Sequence, residues 1–170
     1  IPSGRVDPAE AITFSFVVAL ISIIMLGLAS NWMAASLLLF TIFFYTVVYS
    51  VFLKRRTPQN IVIGGAAGAF PPIIGWVAMT ESINLLPLIL FVIIFLWTLP
   101  HFWSLALVKT EDYEKANIPM MPNVVGESST KKQILFYSFL LLLSSLSPFI
   151  LGLAGNIYFF GSFTTSLGFC

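Results

Sequence analysis

The sequence predicts an all-α, polytopic transmembrane helix bundle. Three observations carry that expectation. First, the 170 residues are 58% hydrophobic and only 9% charged, against about 25% charged in soluble domains, and the mean hydropathy is +0.98. So much apolar surface needs lipid as its solvent. Second, no charged side chain occurs within 11–53, 57–80, 82–108 or 133–170. Runs this long without polar alternation are helical spans rather than barrel strands, and lipid leaves only those two ways to satisfy a backbone. Third, the basic residues are sorted. Numbering the connectors alternately puts Arg5, Lys54, Arg55, Arg56, Lys109, Lys115, Lys131 and Lys132, all eight of them, on one side, while the other side carries only Glu81.

A span takes about 20 apolar residues, and the elements follow from that length. They are expected over 11–29, 32–53, 61–79, 85–107 and 134–154, with a truncated sixth over 157–170. The connectors at 30–31 and 155–156 are short enough to make helical hairpins. The sorting of Lys and Arg assigns 1–10, 54–60 and 108–133 to the cytoplasmic side of the membrane or its organellar equivalent, and a cell inner membrane is the expected location. Ile1 follows no initiator Met or signal peptide, and "YFFGSFTTSLGFC" closes inside an apolar run, so a piece of a longer chain is expected. Cys170 is the one cysteine, which excludes a disulfide framework and a thiolate metal cluster. Nothing in the composition points to a nucleic-acid partner.

Two spans depart from plain apolar helix. "IGGAAGAFPPIIGW" (63–76) combines Gly64, Gly65, Gly68 and Gly75 with Pro71 and Pro72. Small residues let helices approach closely, and paired prolines interrupt the hydrogen-bond ladder. The segment is therefore either a tight helix contact or an opened backbone lining a cavity. "WTLPHFW" (97–103) carries Pro100 and His101 within a span. An intramembrane His faces a cavity or bonds a neighbouring helix, and position alone leaves both open.

The 108–133 connector mixes cations with Glu111, Asp112, Glu114 and Glu127. Positive-inside sorting accounts for its lysines but not its acids. One reading is a solvated amphipathic turn, "TEDYEKA", with Glu111 and Lys115 paired at i,i+4. The other is a binding rim. Mg²⁺ takes oxygen ligands from one or two carboxylates plus substrate phosphates. Lys and Arg would neutralise the remaining charge, Arg through its bidentate fork. Carboxylates facing "KRRT" above an apolar interior suit a lipid diphosphate, its head at the interface and its tail in the bundle. Seventeen Phe, five Tyr and four Trp would shelter a carbocation as readily as they would form interface belts.

At these residues a family resemblance enters. "LPHFWSLALVKTEDYEKANIPMMPN" (99–123) resembles the second signature loop of the heme-farnesylating branch of the intramembrane prenyltransferases, the superfamily that includes 4-hydroxybenzoate polyprenyltransferase. "YSVFLKRRTPQNIVIGGAAGAFPPIIGW" (49–76) is similar to that branch's preceding loop and helix, and "IPSGRVDPAEA" (1–11) to the stretch after its first acidic motif. The resemblance covers nearly the whole chain. It implies a nine-helix bundle with a central lateral cavity, and transfer of farnesyl from farnesyl diphosphate to a vinyl group of heme B, giving heme O for terminal oxidases. It implies Mg²⁺ as cofactor, with Asp112 helping to hold Mg²⁺–diphosphate, Lys109 contacting diphosphate one turn earlier, and Lys54 and Arg55 contacting it from the opposing loop. Tyr113 would line the reacting centre, Asn60 would join the substrate-binding set, and His101 would be a heme contact or proton acceptor. Beyond the bilayer and the two substrates, a downstream heme A synthase is a possible contact.

Two departures accompany the resemblance. The first acidic motif, N-x-x-x-D-x-x-x-D, would lie before Ile1. The superfamily's D-x-x-x-D spacing is not met in the second loop either, because Ala116 stands four residues after Asp112. Glu111 or Glu114 would have to substitute, and on a helix Asp112 and Glu114 point well apart. A polyprenyltransferase acting on a quinone or chlorophyll precursor is the neighbouring alternative, and the PHFW…PMMP block argues against it. A transporter, the alternative from another class, would carry charge inside its spans or an internal repeat; neither is seen. A purely structural subunit would leave the opposed charged connectors unexplained.

Overall fold

The computed structural model describes residues 4–169, and every element among them is helical. Ile1–Ser3, from the first basic segment, and Cys170, from the end of the last apolar run, lie outside the described residues. The order is α1 (Pro8–Ala29), α2 (Trp32–Phe43, widening over Phe44–Leu53), α3 (Asn60–Ala69), α4 (Pro71–Thr80), α5 (Leu85–Val108), α6 (Thr110–Lys115), α7 (Met121–Val125), α8 (Glu127–Ile150) and α9 (Asn156–Phe169). Five helical stretches, Pro8–Ala29, Trp32–Leu53, Asn60–Thr80, Leu85–Val108 and Glu127–Ile150, are each long and apolar enough to cross a membrane. This is a polytopic helical bundle, with the shorter α9 packed on α8.

The exposed surface shows which solvent these helices suit. Along α1, Phe14 and Phe16 are about 70% exposed and Gly27 is the buried residue. An apolar face turned outward on this scale is stable against hydrocarbon, not water. The first helix also begins earlier than the apolar run, at Pro8 rather than 11. Asp7 caps it by accepting from the Ala9 N–H at 2.7 Å, and the Glu10 carboxylate accepts from the Asp7 N–H at 3.3 Å, a reciprocal arrangement that satisfies two donors. Similarly α8 starts at Glu127 instead of 134 and ends at Ile150 instead of 154. In its polar first turns Glu127, Lys131, Lys132 and Gln133 are good helix formers, and Glu127 pairs with Lys131 at 2.5 Å.

Each end of the bundle is stitched. At one end, Asn31 caps α2 by accepting from the Ala34 N–H at 2.8 Å, and its Nδ2 donates to the Val77 carbonyl at 2.8 Å. Ser30 Oγ donates to the Ala78 carbonyl. Ala34, Ile73 and Val77 form the buried cluster beside these bonds. At the other end lies a cluster of Ile61, Leu99, Trp103, Ala106, Met120 and Met121, joined by Tyr113, Ile134 and Tyr137. It draws α3, α5, α8 and the α6–α7 turn together, and this end carries the connectors at 54–59 and 109–126.

The glycine-proline segment makes the tight helix contact, and its break falls outside the cavity lining, which takes Gly64, Gly65 and Gly68 but not Phe70, Pro71 or Pro72. Gly64 and Gly65 are buried contacts; a Cβ on Gly64 would stand 2.5 Å from the Tyr49 ring and one on Gly65 3.0 Å from Thr98. The helix then breaks at Phe70, because Pro71 and Pro72 bring no N–H to the carbonyls of Ala67 and Gly68. The Phe70 N–H takes the Ala67 carbonyl at 3.4 Å. In α5, by contrast, buried Pro100 is carried inside a continuous helix.

Candidate active site

The site begins where α2 widens. From Phe44 to Leu53 the backbone takes i→i+5 bonds, and the Lys54 N–H closes the stretch on the Tyr49 carbonyl at 2.8 Å. Wide turns of this kind concentrate at functional sites. Here it presents Tyr45 and Tyr49, with ring centroids 5.2 Å apart, toward the glycine face of α3.

Asn60 joins the two charged connectors. Its Nδ2 donates to the Lys54 carbonyl at 3.1 Å and to the Pro119 carbonyl at 3.3 Å. The side chain is fully buried, and its Oδ1 has no partner. An unpaired buried acceptor costs about 1–3 kcal/mol, so this oxygen is an open request for a donor. On the second connector, Met120 and Met121 are buried in the core cluster beside Trp103. Asn123 Nδ2 donates to the Thr110 carbonyl at 3.2 Å. The "PMMPN" block therefore works as an anchor that folds the acidic turn back over the bundle.

Between these elements is a cavity of about 440 Å³. Lys54, Asn60, Tyr113, Ile118 and Met120 line its polar end, where the connectors meet. Tyr45, Tyr49, Trp97 and Phe102 form aromatic walls, and Gly64, Gly65, Gly68, Thr98 and Ile94 line the rest. From Asn60 to Gly68 is eight residues of helix rise, about 12 Å. Antiparallel α5 spans the same depth from Phe102 to Ile94. The cavity thus runs from a cationic, hydrogen-bonding mouth to an apolar end at exposed Gly68.

The sequence-predicted residues fall in four places. Lys54, Asn60 and Tyr113 meet on the cavity. Lys109 and Asp112 share a separate surface hollow with Glu111. Arg55 lies in another, with Thr110, Glu114 and Asn123. His101 is exposed and outside the cavity lining; its ring stacks on Trp97 at 4.5 Å and meets the edge of Phe102 at 5.3 Å.

The acidic turn is a regular helix over Thr110–Lys115, and Asp112 and Glu114 accordingly border different hollows. Glu111 and Lys115 form the i,i+4 pair at 3.8 Å, both exposed, where such a pair contributes little. Asp112 is in neither ion pair found among the described residues, which leaves its carboxylate available. No three His, Cys, Asp or Glu side chains among the described residues converge to hold a metal by themselves. One carboxylate that shares a hollow with Lys109 fits Mg²⁺ of the kind that draws its other ligands from phosphate and water.

Several lining residues escape sequence reasoning. Tyr45 and Tyr49 sit in an apolar span like any other aromatics, and their i,i+4 spacing opposite a glycine row is the one available signal. Trp97 and Phe102 flank the Pro100 motif, but only the fold turns them toward Gly64 and Gly65.

The comparisons with known proteins agree with this architecture. A protoheme IX farnesyltransferase of Bartonella henselae is 57% identical over 167 residues, covering 98% of this chain and 53% of its own length. One of Methylobacterium nodulans is 61% identical over 158 residues, covering 93% and 50%. A protoheme IX farnesyltransferase 2 of Mesorhizobium japonicum is 54% identical over 169 residues, covering 99% and 54%. The chain spans about half the length of these curated relatives. No solved structure matches it. The family described as UbiA prenyltransferases matches residues 1–170 from end to end, and the chain belongs to that family.

Proposed function

We propose that the protein transfers the farnesyl group of farnesyl diphosphate to a vinyl group of heme B, giving heme O, with the cavity between α2, α3 and α5 as the farnesyl site. The observation that carries this reading is the cavity's polarity, with Lys54, Asn60 and Tyr113 at the mouth and glycine and aromatic surface within. The names of the similar proteins supply the acceptor. Lys54 and Lys109, with Arg55 from the neighbouring hollow, draw the diphosphate to the mouth and stabilise the charge that grows on it as the allylic C–O bond breaks. Mg²⁺, held by Asp112 together with phosphate oxygens, would supply further neutralisation of the leaving group. The farnesyl carbocation rests among the π faces of Tyr45, Tyr49 and Trp97, and the apolar walls keep water from quenching it. The vinyl electron pair forms the new C–C bond. Water then adds to the cation left on the heme side and loses a proton, leaving the hydroxyl of the hydroxyethylfarnesyl chain. Heme B would approach at the exposed ring of His101 behind Trp97. The connectors 1–10, 54–60 and 108–133 face the cytoplasm of an inner membrane, and a heme A synthase would receive the product.

The test uses the full-length protein in membranes, with heme O detected by mass. Asp112→Asn is expected to lower turnover at least a hundredfold while membrane insertion stays intact; undiminished turnover removes Asp112 from the site. Arg55→Ala is expected to raise the KM for farnesyl diphosphate more than the KM for heme B, and equal rises would contradict a diphosphate contact.

A further inference from the structure

A second hollow, of about 610 Å³, lies between α5, α8 and α9. Ile94 and Trp97 line both it and the cavity proposed for farnesyl, so the two spaces share a wall. Both residues stand near the middle of α5, well inside a span. On the α8 and α9 side the lining carries five hydroxyls, from Ser145, Tyr158, Ser162, Thr165 and Ser166. Where each hydroxyl directs its proton decides what the hollow can hold. Ser145 Oγ donates to the Leu142 carbonyl at 2.9 Å, Ser162 Oγ to the Phe159 carbonyl at 3.1 Å and Thr165 Oγ1 to the Gly161 carbonyl at 2.8 Å. Tyr158 donates to the Ser145 carbonyl at 2.9 Å. Ser166 Oγ lies 3.0 Å from Ser145 Oγ and, with the Ser145 proton already committed, is the donor of that pair. A hydroxyl has one proton and two lone pairs. The row therefore offers acceptors and withholds donors, which suits a small molecule with O–H bonds to give. Water is that molecule, and a polar space with several partners is what a buried water needs. The bonds from Tyr158 and Ser166 also fasten α9 to α8. Ser162 and Thr165 bond only within α9, so helix packing does not account for their hydroxyls on the hollow.

The proposed reaction has two opposed needs. The farnesyl cation must be kept from water, whereas the cation left on the heme side once the C–C bond forms must meet it. That second cation has two exits. Water adds and passes a proton to a further water, leaving the hydroxyl. Alternatively the adjacent carbon gives up its proton, leaving a double bond and a product one water lighter. We infer that the hollow between α5, α8 and α9 binds the water that adds, with Ser162 and Thr165 positioning it and Trp97 and Ile94 forming the partition that keeps it from the farnesyl side. This rests on the proposed farnesyl transfer. The ring of His101, where the acceptor would approach, stacks on Trp97 at 4.5 Å and would bring the heme side to the same partition.

The experiment uses the full-length protein in membranes with heme B and farnesyl diphosphate, the prenylated hemes being told apart by mass. The double variant Ser162→Ala with Thr165→Val is expected to raise the dehydrated fraction of the product about tenfold, as loss of two hydrogen-bond acceptors for the water would. Thr165→Ser, which keeps the hydroxyl, is expected to match the wild type. So is Thr164→Val, whose hydroxyl bonds within α9 but lies outside the hollow. Should the double variant fail to accumulate, either single change is expected to shift the fraction the same way. A fall in turnover with an unchanged fraction, or an equal rise in Thr164→Val, overturns the inference and leaves the farnesyl reading standing. A wild type that transfers no farnesyl to heme B removes the reading and this inference together.

Discussion

Asn60 holds more of the site's geometry than any charged residue does. Its amide spans the Lys54 and Pro119 carbonyls, so removing it frees two connectors at once. Asn60→Ala is expected to destabilise the folded protein by about 1–3 kcal/mol, the usual result of leaving buried polar groups unpaired. It should also weaken farnesyl diphosphate binding. Asn60→Asp keeps the volume but loses both donors, and is expected to do no better than Ala. Melting temperature and KM measured together check this, and a wild-type melting temperature in both variants would dismiss the tie. At this scale the sequence displays charge well and hydrogen bonding poorly. Lys54 and Asp112 stand out because charge is scarce in this chain. Asn60 follows an unremarked "TPQ", and its carbonyl partners are main-chain atoms that no side-chain pattern reveals.

Among the elements, the contact of α3 with the widened stretch of α2 shapes the cavity. The Tyr49 ring lies against Gly64 so closely that a methyl group there would fall 2.5 Å from it. Gly64→Ala is expected to push the ring aside, costing about 1–3 kcal/mol as overpacking does and raising the KM for farnesyl diphosphate. Adding Tyr49→Leu should recover the stability but not the KM. Melting curves of the single and double variants decide this, and additive losses would deny the contact. Hydropathy finds these elements because crossing lipid demands an apolar run, and it fails where a helix outlasts that run. The early starts of α1 at Pro8 and α8 at Glu127 rest on capping and polar helix formers. The widening of α2 has no proline or glycine within Phe44–Leu53 to announce it.

For the whole molecule, the connectors segregate to two ends. The 54–59 and 109–126 stretches meet through Asn60, while Ser30 and Asn31 reach the end of α4 at the other. Single cysteines replacing Arg56 and Glu114 are expected to react with a membrane-impermeant thiol reagent from the same side of sealed vesicles, and one replacing Ser82 from the opposite side. Modification of the first two from opposite sides would be incompatible with a shared mouth. This arrangement is legible in the sorting of eight basic residues to one side, whereas the cavity is not, because its walls come from three separate helices, α2, α3 and α5, whose facing surfaces are uncharged. The seam at the mouth has an evolutionary consequence. Since Asn60 grips backbone oxygens and ignores the side chains around them, neighbouring positions such as Arg56 and Gln59 are free to drift, and descendants could retune the charge of the entrance while inheriting its shape unchanged.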